Sequence, residues 1–204
     1  DDLIGHGRIN AYQALKYTVE NYGGTFDQDV IIAAGETFNL QPGITLKFTP
    51  GTGLIVYGTL NVNGQQGNSA TFTRSGTIAY ATIEHTTKGI DVRTSSPYSV
   101  TVDNCTIQNF TEQGIYVINE GEITVQDCLI QAPAGGSHGI YLAGKYNVPV
   151  VSGTTIKDVP IGIERINGPG AALLYDNTIR DCTTGIKTNL SSPEIYNSYL
   201  HTNT

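Results

Sequence analysis

The fold class this sequence predicts is an all-β solenoid, a right-handed parallel β-helix with three short strands per coil, and three observations predict it. A strand ending in Gly-Ile recurs at Gly89-Ile90, Gly114-Ile115, Gly139-Ile140, Gly162-Ile163 and Gly185-Ile186, spaced 25, 25, 23 and 23 residues. A second series, Ile83, Ile107, Ile130, Ile156, Ile179 and Leu200, runs in step with it at 24, 23, 26, 23 and 21 residues. Polar residues at fixed offsets separate the two. Two in-phase series mean one supersecondary unit stacked on itself. Leucine-rich repeats would add Leu at fixed offsets and a helix, and propeller blades need periods of roughly 40 residues or more.

The elements follow in order. Asn10 can cap a helix, and Tyr12, Leu15 and Val19 then share one face, with Ala11 and Ala14 as good helix formers. Tyr22-Gly23-Gly24 ends this helix of about ten residues. Short β-rich runs come next: Val30-Ile31-Ile32, Phe38 with Leu40, Leu46 with Phe48, and Leu54 to Val62. Turns at Ala34-Gly35-Glu36, Gln41-Pro42-Gly43, Thr49-Pro50-Gly51 and Asn63-Gly64 separate them.

From Ile78 onward the coils align. Their first strands begin near Ile78, Val100, Ile123, Val150, Leu173 and Ile195. A polar turn residue follows at Asn104, Asp127, Asp176 and Asn197, with Gly153 breaking the set. The Ile series comes next, then a second polar position at Asn109, Asp158 and Asp181, then Gly-Ile. Parallel stacking at about 4.8 Å puts like on like, with aliphatic ladders inside and Asn or Asp ladders at the turns. Asn and Asp tolerate the left-handed conformation and bond neighbouring backbone. Gly before Ile fits a tight corner with φ > 0.

Composition narrows the partners. The chain has 204 residues, a net charge of −7, 24 Gly, and neither Met nor Trp. The absence of Met implies a processed product or a fragment. The acidic balance argues against nucleic acid, whose phosphates demand a basic surface, and against anionic lipid headgroups. No run approaches the roughly 20 apolar residues of a membrane helix. Of three Cys, Cys105 and Cys128 occupy equivalent repeat positions and Cys182 does not. Their spacing suits no zinc site. Buried small filler is the favoured reading. A 105–128 disulfide is the alternative, opposed by the parallel Cβ vectors of stacked coils.

The repeat pattern over about residues 26–204 resembles the secreted right-handed parallel β-helix superfamily that includes pectin-active enzymes. The pattern is specific for fold rather than activity. Gly5-His6-Gly7-Arg8-Ile9-Asn10-Ala11-Tyr12-Gln13-Ala14-Leu15 resembles the closing segment of a subtilisin-like serine protease domain, Gly-x-Gly-x-aliphatic-Asn-Ala-x-x-Ala. A dockerin core shares Gly-x-Ile-Asn-Ala, but His6 and Ile4 stand where calcium ligands are needed. The resemblance implies a subtilase remnant over 1–24, a β-helix over 25–204, and a secreted multi-domain context. It brings no protease activity, because the catalytic motifs would lie upstream.

Four constellations bear on chemistry. Pectate-lyase-like β-helices bind calcium through clustered carboxylates and use a basic residue as proton acceptor. Here Asp103, Asp127, Asp158, Asp176 and Asp181 are spread about one per coil at turns, and Arg165 and Arg180 match no lyase motif. Polygalacturonase-like hydrolases need two carboxylates about one bond. Ser137-His138-Gly139 is present, but no adjacent Asp pair occurs beyond Asp1-Asp2. Glu84-His85 is flanked by Thr86-Thr87-Lys88 and reads as a solvated turn. The residues after each Gly-Ile are Asp91, Tyr116, Tyr141, Glu164 and Lys187. With Ile inward, alternation sends these five to one outer face, in single file. Two stacked Tyr beside charges suit a sugar chain by CH–π contact and hydrogen bonding; an ordinary solvent face with cross-strand aromatic pairing is the competing reading.

The expected function is therefore a non-catalytic β-helix module of a secreted or cell-surface protein: a rigid spacer, adhesion element or glycan-binding element, without a metal or cofactor. The alternatives are a carbohydrate-active enzyme, lyase or hydrolase, and a structural protein stacking end to end into filaments. The last follows because Tyr199-Leu200-His201-Thr202 lie inside a coil, so the chain continues or an end pairs with another chain.

Overall fold

The computed structural model describes residues 11–28, 30–33, 35–41, 44, 46–48, 54–56, 59–63, 70–72, 76–93, 99–118, 122–144, 148–168 and 171–201. Side chains of residues 11–15 and 45–76 are outside that description.

Among the described residues, one helix, α1 (Ala11–Tyr22), is followed by short strands alone, and every strand pairing is parallel. Three sheets run along the solenoid. The first holds Ala70–Phe72, Lys88–Val92, Gln113–Ile118, His138–Ala143, Ile161–Ile166 and Thr184–Asn189. The second holds Gly76–Ala79, Ser99–Asp103, Glu122–Gln126, Val150–Ser152, Leu173–Tyr175 and Glu194–Tyr196. The third runs from Thr37–Leu40 through Thr59–Asn63, Ala81–Glu84, Thr106–Gln108, Leu129–Gln131, Thr155–Lys157 and Thr178–Arg180 to Tyr199–His201. Two further pairs, Gly24–Phe26 with Leu46–Phe48 and Val30–Ile32 with Leu54–Val56, belong to the earliest coils. The result is the all-β right-handed parallel β-helix, three strands per coil, that the repeats predict.

The two aliphatic series stack in register. Ile90, Ile115, Ile140, Ile163 and Ile186 form one file. Ile83, Ile107, Ile130, Ile156, Ile179 and Leu200 form another. Ile90, Ile107, Ile115, Ile130, Ile140, Ile156 and Ile163 are wholly buried. At roughly 1.5–3 kcal/mol for each fully buried aliphatic side chain, these files dominate the favourable side of folding.

In the second sheet the register differs from the sequence alignment. Ile78 stands beside Val102 rather than Val100, Val150 beside Thr124 rather than Ile123, and Ile195 beside Leu174. The inward file is thus Ile78, Val102, Val125, Val151 and Leu174, all buried, followed in register by Ile195, which is exposed. The inward set decides register, because a one-residue slip would turn Val125 or Val151 outward.

The corner between the second and third sheets is a single residue at positive φ. It is Tyr80 (54°), Asn104 (49°), Asp127 (51°), Gly153 (58°), Asp176 (57°) and Asn197 (46°) in successive coils. Gly153 therefore does not break the set: it differs in chemistry and shares the conformation. Between the third and first sheets, His85, Asn109, Asp158 and Asp181 have φ of 55–57°. Successive corners are joined through backbone, as in Asn104 N–H to Gln126 C=O (3.0 Å), Asp127 N–H to Ser152 C=O (3.0 Å) and Asn109 N–H to Gln131 C=O (3.1 Å).

The side-chain ladder expected at these corners lies one position later. Backbone N–H of Cys105 points to Cys128 Sγ (3.4 Å), of Cys128 to Thr154 Oγ1 (3.3 Å), of Thr154 to Asn177 Oδ1 (3.1 Å) and of Asn177 to Ser198 Oγ (3.4 Å). The corner residue points its side chain away from the coil, and the next residue turns its own back toward the stack. Cys105 and Cys128 are buried free thiols and members of this ladder, so they do more than fill space. Hydrogen bonding to Cys105, together with burial, holds the Cys128 thiol far above the usual thiol range.

The repeated glycines correct another expectation. Gly89, Gly114, Gly139 and Gly162 are buried strand residues, absent from the positive-φ corners. A Cβ on Gly89 would lie 2.4 Å from the Gly114 carbonyl oxygen and 2.4 Å from Ile107 Cγ2. Gly139 and Gly162 meet the next coil's glycine and Ile156 or Ile179 in the same way. Glycine is required by close approach, not by backbone conformation.

Helix α1 ends as expected. Gly23, at φ 65°, donates its N–H to Thr18 C=O (3.2 Å). Asn10 and the segment Gly5 to Asn10 lie outside the described residues. Val19 is buried, and Glu20 covers the edge strand of the third sheet: its Oε1 accepts from Asn39 N–H (2.6 Å) and its C=O from Gln41 N–H (3.0 Å). An exposed edge would template pairing with other chains. Gly35 (φ 83°) sits in a turn closed by Glu36 N–H to Ala33 C=O (3.0 Å). Pro42, Gly43, Thr49, Pro50, Gly51 and Gly64, from the other expected turns, fall outside the described residues.

Candidate functional site

The outer file of the first sheet is assembled by alternation. In Lys88–Val92 the Ile90 and Val92 side chains enter the core, leaving Asp91 on the outside. Lys88 departs from this alternation at Gly89 and stands on the same outer face, over the Tyr116 ring. Parallel register then aligns Asp91, Tyr116, Tyr141, Glu164 and Lys187 in single file. The structure brings all five together.

Flanking residues complete the stripe. Tyr116 and Tyr141 stack with centroids 5.3 Å apart and planes 13° from parallel. Lys88 Nζ stands 4.5 Å from the Tyr116 centroid, from the coil on the opposite side to Tyr141. It also reaches Glu112 at 3.6 Å. His138 meets Tyr141 edge-on at 5.3 Å. Arg93 clamps Asp91 through two hydrogen bonds of 2.9 Å, which raises the guanidinium pKa.

Glu164 is the hub of the other end. Its Oε2 lies 2.6 Å from His138 Nε2 and its Oε1 2.8 Å from Lys187 Nζ. Burial pushes the Glu164 carboxyl up, but the hydrogen bonds from Lys187 and His138 outweigh it and hold the pKa below the ordinary range. Ser137 Oγ lies 2.8 Å from His138 Nδ1 and 2.9 Å from the Glu112 carbonyl oxygen. Tyr141 is held above the usual phenol range, chiefly by burial and then by its Tyr116 and Glu164 neighbours.

This arrangement changes what the stripe can do chemically. Tyr116 has one ring face on Tyr141 and the other under Lys88, so the ring offers its edge and hydroxyl rather than an open aromatic platform. Asp91 and Glu164 leave the lumen as expected, yet both are buried beneath their partners. Lys88, Arg93, Ser137 and His138 escaped the reading of the residue after Gly-Ile. Lys88 and His138 carry the signal in their spacing: each immediately precedes Gly, on the same outer face.

The other constellations separate. Asp127 and Asp176 occupy one corner line and Asp158 and Asp181 another, while Asp103 accepts from Asn104 Nδ2 (2.8 Å) and Gln126 Nε2 (3.0 Å). Among the described residues, no group of three or more His, Cys, Asp or Glu could hold a metal ion. Arg180 pairs with Asp181. Arg165 follows Leu142 into the solenoid interior and is buried, which lowers its pKa. Glu84 accepts from Gln108 Nε2 (2.8 Å), and Gln108 Oε1 from Gln131 Nε2 (3.1 Å), an amide ladder on the third sheet. His85 is a corner residue 3.9 Å from Glu84. No helix among the described residues is long and apolar enough to cross a membrane.

A family model described as "Right handed beta helix region" matches residues 17–156, more than half of the chain. No curated protein and no solved structure matches it.

Proposed function

The chain belongs to the right-handed β-helix family, and from that premise we propose that it is a non-catalytic module of a secreted or cell-surface protein. It serves as a rigid spacer, with the stripe Asp91–Tyr116–Tyr141–Glu164–Lys187 as a glycan-contacting face.

One observation carries the reading: the polar groups of the stripe are occupied with one another, within a coil at Asp91 and across coil boundaries elsewhere. His138 and Lys187 hold Glu164, Arg93 holds Asp91, and Lys88 covers Tyr116. Such a network tightens the stack and neutralises its own charges. A glycosidase instead needs two carboxylates with separate proton roles about one bond. The resemblance of Gly5–Leu15 to the end of a subtilisin-like domain supports an extracellular, multi-domain setting. The filament reading ranks lower because Glu20 of α1 occupies the edge strand of the third sheet.

A screen of acidic and neutral polysaccharides, with and without Ca²⁺, tests the assignment. Spacer function expects no turnover and no new reducing or unsaturated ends; turnover that disappears in Glu164→Gln would replace it with the enzyme reading. A glycan array tests the face: binding that survives Tyr116→Ala/Tyr141→Ala would remove the stripe from the proposal.

A further inference from the structure

The chain carries three Asn-x-Ser/Thr sequences: Asn104-Cys105-Thr106, Asn109-Phe110-Thr111 and Asn189-Leu190-Ser191. This pattern is the acceptor for N-linked glycosylation, which places a bulky, solubilising group on a surface turn. The structure separates the three.

At the first site, the Asn104 amide donates to Asp103 Oδ1 (2.8 Å), and Thr106 is a half-buried strand residue. At the third, Ser191 Oγ donates to the Arg165 carbonyl (3.1 Å), so the hydroxyl that the pattern requires is engaged. At the second, Asn109 and Thr111 are both exposed, at the corner between the third and first sheets. Asn109 holds φ 55°, which turns its side chain off the coil. The residue between them, Phe110, is buried and anchors the segment. Backbone bonds fix the presentation: Asn109 N–H to Gln131 C=O (3.1 Å) and Thr111 N–H to Thr86 C=O (3.0 Å). A sugar added here leaves the core and the coil-to-coil bonds untouched.

We propose that Asn109 is an N-glycosylation acceptor, a site that rests on the extracellular reading above. The donor is an oligosaccharide linked to a lipid diphosphate, handled by a membrane transferase. The Asn109 amide nitrogen bonds the anomeric carbon of the first sugar and loses one proton. The bond from that carbon to the diphosphate oxygen breaks, and the lipid diphosphate leaves with its electron pair. The glycan stands at the corner adjoining the outer face of the first sheet.

The test is secretion of the chain, behind a cleavable signal, from a host with an N-linked transferase. Peptide N-glycosidase in heavy-oxygen water then marks each occupied Asn for mass spectrometry. Expected is a mobility shift that the enzyme removes, with the label on the Asn109 peptide. It is lost in Asn109→Gln and Thr111→Ala, kept in Thr111→Ser, and kept in Asn104→Gln and Asn189→Gln. Secreted protein with the far-ultraviolet signature of β-structure and a bare Asn109, or one labelled at Asn104 or Asn189 instead, overturns the proposal. Fractionation of source cells separates the two levels. Protein outside the cell with a bare Asn109 refutes the glycosylation site alone. Protein confined inside and bare refutes the extracellular reading as well.

Discussion

Gly114 and Gly139 approach so closely across one coil boundary that a Cβ on Gly114 would lie 2.7 Å from the Gly139 carbonyl oxygen. The same atom would lie 2.6 Å from Ile130 Cγ2. Neither neighbour can yield cheaply: one is ladder backbone and the other a wholly buried side chain.

Gly114→Ala therefore separates the first sheet locally. Overpacking of this kind costs about 1–3 kcal/mol. Urea denaturation should show a lower midpoint with an unchanged slope. A variant as stable as the parent would mean that the sheet spacing relaxes freely.

Asn177 gives a second measurement. It is buried, accepts from Thr154 N–H (3.1 Å), and donates to Val151 C=O (2.8 Å). Asn177→Ala strands both backbone groups away from water, at about 1–3 kcal/mol for each. Hydrogen exchange at Thr154 should accelerate more than exchange at Ile107, a distant member of the core.

The pH dependence of stability follows from Glu164. Its folded pKa is depressed, so its contribution is fully present above the unfolded glutamate value of about 4.3. That contribution is lost as pH falls through the lower folded pKa. Glu164→Gln should destabilise by roughly 1–3 kcal/mol near neutrality, through the loss of charge-assisted bonds to Lys187 and His138. It should also flatten the acid limb of a melting temperature–pH curve. An unchanged acid limb would assign the depression to another group.

Cys105 and Cys128 should behave as ladder thiols. Both are buried, and Cys128 is held in the protonated form by hydrogen bonding to Cys105 and by burial. Alkylation should be negligible in the folded protein and complete in denaturant. Rapid modification of the native state at neutral pH would contradict this placement.

How much was legible beforehand varies by residue. The files of Ile107 and Ile115 were readable because identical side chains recur at coil spacing, and burial tolerates little else there. The stripe from Asp91 to Lys187 was readable for the same reason: alternation follows once Ile is inward. His138 was harder, since its partner Glu164 lies one coil away and 26 residues along the chain. The ladder of Cys105, Cys128, Thr154, Asn177 and Ser198 was obscured by chemistry. A thiol, a hydroxyl and an amide look unrelated in sequence, yet each accepts the same backbone N–H. Gly89 and Gly114 were visible as glycines, but their reason was not: close approach and positive φ select the same residue.

The sequence by itself determined the period, the inward aliphatic files and hence the solenoid, because stacked parallel strands reward identical residues at equal spacing. Only the tertiary structure decided the second-sheet register, the cause of the glycines Gly89, Gly114, Gly139 and Gly162, and the pairing of Glu164 with both His138 and Lys187. Those depend on distances between coils, and a distance across a coil boundary is set by backbone packing that no single repeat encodes.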